Sequence, residues 1–247
     1  MSNVMLLYKQ IVALSRNDHK DLKLKPLQNF NFAADTHWVP VAGVEFYRAA
    51  KNYPIVFAGD GEALAPIVLL GLKAGNNDNI NAEGQWRKDA YIPAFIRRYP
   101  FVLANTGADN KDLTVCLDMA CPGLNREEGD PLFNEDGSNG QVLDNILNFM
   151  KEFTFELERS KKFVEELKKR DLLVKKNADI RRADGTSFHV QDFIAVDEEK
   201  FGKLPGNDLE ELHKQGFLGW VFAHLMSLNS LTELFDLHLA AQKDKAV

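Results

Sequence analysis

Residues 140–170 restrict the possible folds more than any other stretch, because one helical period runs through them unbroken. Ile146, Met150, Phe153, Leu157, Val164 and Leu167 recur at alternating steps of four and three, and Ser160 is the one polar member of the stripe. Val142, Phe149 and Phe163 widen the apolar face. Glu152, Glu156, Glu158, Glu165 and Glu166 interleave with basic residues elsewhere on the helix, at spacings that support it through ion pairs. Lys161, Lys162, Lys168, Lys169 and Arg170 load the carboxyl end, where the helix dipole favours cations. At 1.5 Å per residue the helix is about 45 Å long, enough to cross a whole domain. It cannot bury that face alone, so the rest of the chain must supply the surface beneath it.

Strands are the natural supply. Two apolar runs, 54–58 and 65–72, are bounded by Asp60-Gly61 and by the 75–79 turn, and suit buried strands. Residues 102–104 and 113–119 read as two adjacent strands around a polar loop at 105–112. Residues 10–14 and 21–25 predict a hairpin or loose β connection, and 43–52 a helix ended by Pro54. Residues 178–196 predict a hairpin turning at Asp184-Gly185, with Phe188, Val190, Ile194 and Val196 on one face and His189, Gln191, Phe193 and Ala195 on the other. The carboxyl-terminal 207–239 reads as helical pieces, with capping-box patterns at Asn207 and Ser230. The expected fold is α+β: a mostly antiparallel sheet covered by one long helix and a C-terminal helical region. Residues 1–247 are read as a single domain, with a sub-division near 139 between a strand-rich part, 1–139, and a helix-rich part, 140–247.

Residues 84–101, GQWRKDAYIPAFIRRYPF, hold five aromatic residues and four fixed cations in a chain whose net charge is -6. Pro93 is placed to open a short helix and Pro100 to end it. Ile92, Phe95, Ile96 and Tyr99 then share a face, leaving Arg97 and Arg98 on the flank or outside. Two readings stand side by side: a helix packed on a sheet with arginine heads in water, or a ligand- or partner-binding group made of Trp86, Arg87, Arg97, Arg98 and Tyr99.

The acidic balance argues against a nucleic-acid binder, which needs a positive field. Two cysteines, Cys116 and Cys121, are too few for a disulfide framework and lack the second pair of a zinc site. The NEDGSNG tract puts Asn139 where a calcium loop needs glycine and Asn145 where it needs glutamate, so a turn before a helix explains it better. His213, His224 and His238 have no fixed phase across the breaks at Gly216 and Asn229, which favours packed or surface imidazoles. No cofactor is expected and no metal site is assigned. Neither a basic leader nor an apolar run of membrane-spanning length is present, so the expectation is a soluble cytoplasmic protein with no integral membrane segment. Lysines 161–176 also permit attachment to an anionic membrane surface.

Neither a G-x-S-x-G elbow, an H-E-x-x-H helix, a phosphate-binding glycine loop nor a C-x-x-C pair occurs, and no catalytic constellation is assigned. The order of features is nevertheless distinctive: HWVP at 37–40, YP at 53–54, APIVLLGL at 65–72, the 84–101 block ending in RRYPF, LF-x-EDG at 132–137 and RRADGTSF at 181–188. This series resembles the bacterial SapC-like family over nearly the whole chain, with RRYPF its most specific part. The family takes its name from a locus for a paracrystalline surface layer, and other members stand beside genes for outer-membrane receptors, cupin-like oxygenases and flavin-dependent halogenases. The family brings no settled catalytic residues to carry over. The peptide-importer permease of the same short name is a different protein, since it needs membrane spans. The missing catalytic motifs and the basic aromatic block point to a non-enzymatic binding or accessory protein with a protein or peptide partner; the resemblance implies a surface-layer or receptor-linked system and surface association, and homo-oligomerisation is left open. The alternative is an enzyme, or an enzyme's partner, acting on a peptide or small aromatic substrate through His37, His189 or a buried acid.

Overall fold

The structure, a computed structural model, describes residues 6–105, 113–182 and 184–244. Its main sheet has five antiparallel strands in the order β10 (Leu173–Arg181), β11 (Ser187–Val196), β4 (Ile55–Ala58), β5 (Ala65–Leu69) and β3 (Trp38–Pro40). A second sheet joins β1 (Ile11–Ala13), β7 (Leu113–Asp118) and β6 (Phe101–Asn105). A small third one joins β8 (Leu124–Asn125), β2 (Lys23–Leu24) and β9 (Asp130–Pro131). The helices are α1 (Phe46–Ala49), α2 (Ala94–Arg97), α3 (Gln141–Lys169), α4 (Glu198–Gly202), α5 (Gly206–Lys214), α6 (Leu218–Ser227) and α7 (Ser230–Asp244). The α+β class and the long helix agree with the sequence reading.

Helix α3 closes two cores. Its first half sends Leu143 and Met150 into a cluster with Leu22, Phe101, Leu117 and Leu132, beside the second sheet. Its second half sends Phe153, Phe163, Val164 and Leu167 against Val39, Phe57, Val68 and Trp220, on one face of the main sheet. Ile146 and Leu157 are only partly buried and Phe163 is fully buried, so the buried face is centred nearer Phe163 than the stripe predicts. The polar gap in that stripe has a structural cause. Ser160 is buried because its Oγ donates to Glu156 O (2.6 Å) and accepts from Gly43 N (2.8 Å), anchoring the turn at Gly43–Glu45. That turn needs glycine, since a Cβ at Gly43 would lie 2.2 Å from the Trp220 ring.

The other face of the main sheet is covered by α7. Val56, Ile67, Ile180, Phe193 and Ala195 pack on Leu231 and Phe235. Covering on both faces explains why β4 is a continuous apolar run rather than an alternating one. Between β4 and β11 only Ile194 and Phe57 are in register. Helix α6 completes the seam: His224 Nδ1 lies 2.9 Å from Ile55 O, His224 Nε2 accepts from Val196 N (3.0 Å), and Ser227 Oγ accepts from Ile55 N (2.9 Å). These side chains satisfy backbone groups that a strand partner would otherwise take.

Several expectations are corrected. Residues 10–14 and 21–25 do not pair with each other; β1 pairs with β7, and β2 with β8 and β9. The helix expected over 43–52 is a 3₁₀ turn followed by the four-residue α1. In the β10–β11 hairpin, Arg182 N donates to Thr186 O and Gly185, at φ 87°, donates to Arg182 O, so the turn is longer than the two-residue form. A bulge then reverses the faces. Asp192 sits at φ 56° with its N–H on Asn177 Oδ1, and past it Phe193 and Ala195, not Ile194 and Val196, join Phe188 and Val190 against α7. The loop expected at 105–112 lies, from 106 onward, outside the described residues. The NEDGSNG tract is a turn in which Asp136 Oδ1 accepts from Ser138 N and Oγ, ahead of α3.

Candidate ligand cleft at Arg97

The 84–101 block runs from an isolated bridge, Ile80 with Trp86, through the one-turn α2 into β6. Four of its five predicted binding residues are engaged in holding it down. Trp86 is 9 % exposed; its Nε1 donates to Tyr53 Oη (3.0 Å), and its ring meets Phe30 edge-on at 5.5 Å. Arg87 pairs with Glu233 of α7 and donates to Asn52 O (3.2 Å). Tyr99 lies flat on Phe32, with centroids 4.0 Å apart, and its hydroxyl donates to Asp118 Oδ2 (3.3 Å). Asp118 is itself fully buried and accepts from Lys9 N, Gln10 N and Ala120 N.

Arg98, which the sequence places on the flank or outside, is buried. Because α2 is a single turn, Arg98 falls on its C-cap and its guanidinium folds over the Phe95 ring, 3.8 Å from the centroid, with Tyr8 and Phe153 beyond. Burial lowers its pKa. Its Nε and Nη2 have no hydrogen-bond partner among the described residues, so attraction to aromatic faces stands in for an ion pair.

Arg97 is the exposed member, and it is oriented. Its Nε donates to Ile92 O (3.0 Å) and its Nη2 to Tyr91 Oη (3.2 Å), while the guanidinium stands 5.1 Å from the Phe149 centroid and 5.8 Å from that of Tyr91. Tyr91 Oη in turn donates to Glu45 Oε1 (2.8 Å). Glu45 is buried; Oε1 also accepts from Ala94 N (2.7 Å) and Oε2 from Ala42 N (2.9 Å). Burial raises the Glu45 pKa, and the three donors work against that rise. Burial, followed by the neighbouring Glu45, pushes the Tyr91 phenol up to about 12. Glu45 therefore ties the 43–45 turn to the start of α2 and, through Tyr91, holds Arg97.

These groups line a cleft of about 720 Å³ between the 43–45 turn with α1, α2 and α3. Phe149 and Phe153 form part of the wall, and Val44 and Phe155 stand beside it 50 % and 67 % exposed. Arg48, Arg97 and Lys151 also line it, and none has a carboxylate at ion-pair distance among the described residues. Of the acids, Glu156 leans to Arg159 at 3.6 Å, although its Oε2 makes no hydrogen bond, and Glu152 stands on the α3 wall. Arg97 is shared with a second cleft of about 320 Å³, walled by Leu27, Phe30, Phe32, Ile96 and Tyr99.

The histidines are dispersed. His37 is half-buried beside Trp38, and burial lowers its pKa. His189 is exposed against Asp179 across the hairpin. His224 lies in the β4–β11 seam, and His238 Nδ1 is 3.1 Å from the buried Asp78. Among the described residues no three His, Cys, Asp or Glu side chains gather as metal ligands, and no helix is long and apolar enough to cross a membrane.

Sequence reasoning missed Glu45, Tyr91 and Phe155 as parts of the cleft. Phe155 carried a signal, being a large apolar side chain off the α3 stripe. Glu45 and Tyr91 carried none, because their relation to Arg97 exists only after folding.

Neither a curated protein nor a solved structure matches the chain. A family model described as SapC matches residues 14–234 of the 247-residue chain, and the chain belongs to the SapC family.

Proposed function

We propose that this protein is a binding or accessory component, without catalysis of its own, of a bacterial surface-layer or outer-membrane-receptor-linked system, and that it holds a segment of a protein partner in the Arg97 cleft. The observation that carries the reading is the state of Arg97: an exposed cation, fixed by Tyr91 and Ile92 and flanked by Phe149, with exposed Val44 and Phe155 on the same cleft. Fixed arginines and aromatic side chains beside apolar surface are the composition of interaction hot spots. The titratable groups behind it favour holding over proton transfer. Glu45 is enclosed by three donors and the Tyr91 phenol is pushed to about 12, far from the near-neutral value that general acid–base work requires.

The test places a photoreactive benzoylphenylalanine at Phe155 in the producing cell and, as a control, at the exposed His213. The reading predicts a crosslinked protein specific to position 155 that disappears when Arg97→Gln is added. Identical products from both positions, or a 155 product indifferent to Arg97→Gln, overturn it.

A further inference from the structure

The charge and shape of the two clefts narrow the kind of segment that fits, an argument that rests on the proposed partner-binding reading. Three cations on the large cleft, Arg48, Arg97 and Lys151, have no carboxylate at ion-pair distance among the described residues; Glu152 and Glu156 share the α3 wall of that cleft, Glu156 leaning to Arg159, so the anion-binding position is the one at Arg97 rather than the cleft as a whole. Glu45 offers a ligand nothing, since its oxygens are already taken by Ala42, Tyr91 and Ala94. Arg97 has spent its Nε and one Nη2 hydrogen on Ile92 and Tyr91. Its outer edge, Nη1 with the remaining Nη2 hydrogen, is left, and a carboxylate is the planar acceptor that fits two parallel guanidinium donors. The smaller cleft, which Arg97 also lines, has mainly aromatic and aliphatic walls, with Lys25 and Asp130 as its other charged residues, so an apolar side chain adjacent to that carboxylate has a place to go. The large cleft lies within the size range of ligand sites.

We infer that the segment recognised is the free carboxyl end of a peptide chain whose last residue is aromatic. The terminal carboxylate sits on the outer edge of Arg97 with Arg48 and Lys151 nearby. The terminal ring enters the cleft walled by Leu27, Phe30, Phe32 and Tyr99, and the preceding residues run along α3 past Phe155. A main-chain carboxylate and its own side chain leave one Cα together, which matches a cation shared by two adjoining clefts, one of them walled mainly by aromatic and aliphatic side chains.

The probes are Ac-Gly-Gly-Phe as free acid and as C-terminal amide, Ac-Gly-Gly-Ala free acid, N-acetylphenylalanine, and Ac-Gly-Phe-Asp-Gly amide, titrated calorimetrically against the full chain and its Arg97→Gln variant. The tripeptide acid is expected to bind at least about tenfold more tightly than each other probe, and to weaken by a similar factor in the variant and at high salt. Arg97 is exposed, so an unchanged melting temperature is the control that the variant is folded. Equal binding of acid and amide overturns the carboxylate, and equal binding of the alanine peptide overturns the aromatic. Equal binding of N-acetylphenylalanine assigns the cleft to a small aromatic acid, and equal binding of the internal aspartate peptide assigns it to a side-chain carboxylate; either overturns the chain-end inference. Absence of binding by every probe overturns the inference while the position-155 crosslink separately decides the partner-binding reading.

Discussion

Acid should unfold this protein in part through one imidazole. His224 is fully buried, accepts from Val196 N through Nε2 and stands against Ile55 O through Nδ1, an arrangement that needs one ring proton and one lone pair. Burial is the main cause that lowers its pKa from 6.5 to about 4, with the Ile55 hydrogen bond opposing. A folded-state pKa below the unfolded one means that the unfolded chain binds the proton first. The stabilising contribution is therefore complete above about 6.5 and is lost as pH falls from there towards about 4, below which it is flat. A shift of this size corresponds to roughly 3 kcal/mol, a large part of a typical total of about 5–15 kcal/mol. Protonation would also leave Val196 N facing a second donor at the seam where β4 and β11 have a single pair in register. The assay is urea unfolding at several pH values for the wild type and for His224→Gln, which keeps a donor and an acceptor but cannot titrate. Subtracting the two curves removes the carboxylates common to both. The variant should be less stable near neutrality, and the wild type should lose on the order of 3 kcal/mol relative to it between neutral and acid pH. Parallel curves would refute the assignment of the seam to a neutral His224.

Gly43→Ala drives a methyl group into the Trp220 ring, 2.2 Å away, and should cost roughly 1–3 kcal/mol, read as a lower midpoint in thermal or urea unfolding; an unchanged midpoint would show that the 43–45 turn does not pack there. Arg170 sits at the end of α3 with its side chain 4 % exposed, paired with Glu166 and with Asp208 and Glu211 of α5. Arg170→Ala should cost roughly 1.5–3 kcal/mol, less than the loss of a fully buried pair because Asp208 and Glu211 reach water, and added salt should narrow the gap to wild type.

Legibility in the sequence followed the range of the interactions. Helix α3 was readable because its period repeats within a few residues over eight turns, and β10–β11 because a glycine turn joins its strands directly. The face reversal at Asp192 was not readable, since the bulge depends on Asn177 across the hairpin as well as on Asp192 itself. Nor was the pairing of β1 with β7, whose partners stand about a hundred residues apart. The aromatic and basic density of residues 84–101 was plain in the sequence, but not its division of labour. Whether Arg98 or Arg97 turns outward depends on α2 ending after one turn and on Phe95 lying beneath Arg98. The fixing of Arg97 depends on Glu45, which lies in a different segment and shows nothing on its own that sets it apart from other acidic residues.

The direct measurement of the cleft reading is nitrogen-15 NMR of the Arg97 guanidinium, assigned by its loss in Arg97→Gln, during titration with Ac-Gly-Gly-Phe acid. A carboxylate on the outer edge predicts shifted Nη resonances and slowed rotation about the Cζ–Nη bonds, with Nε, already committed to Ile92 O, changing least. Unmoved Nη signals at saturating peptide, or equal shifts in Arg170, which is paired with α5 and lies outside the cleft, would contradict it.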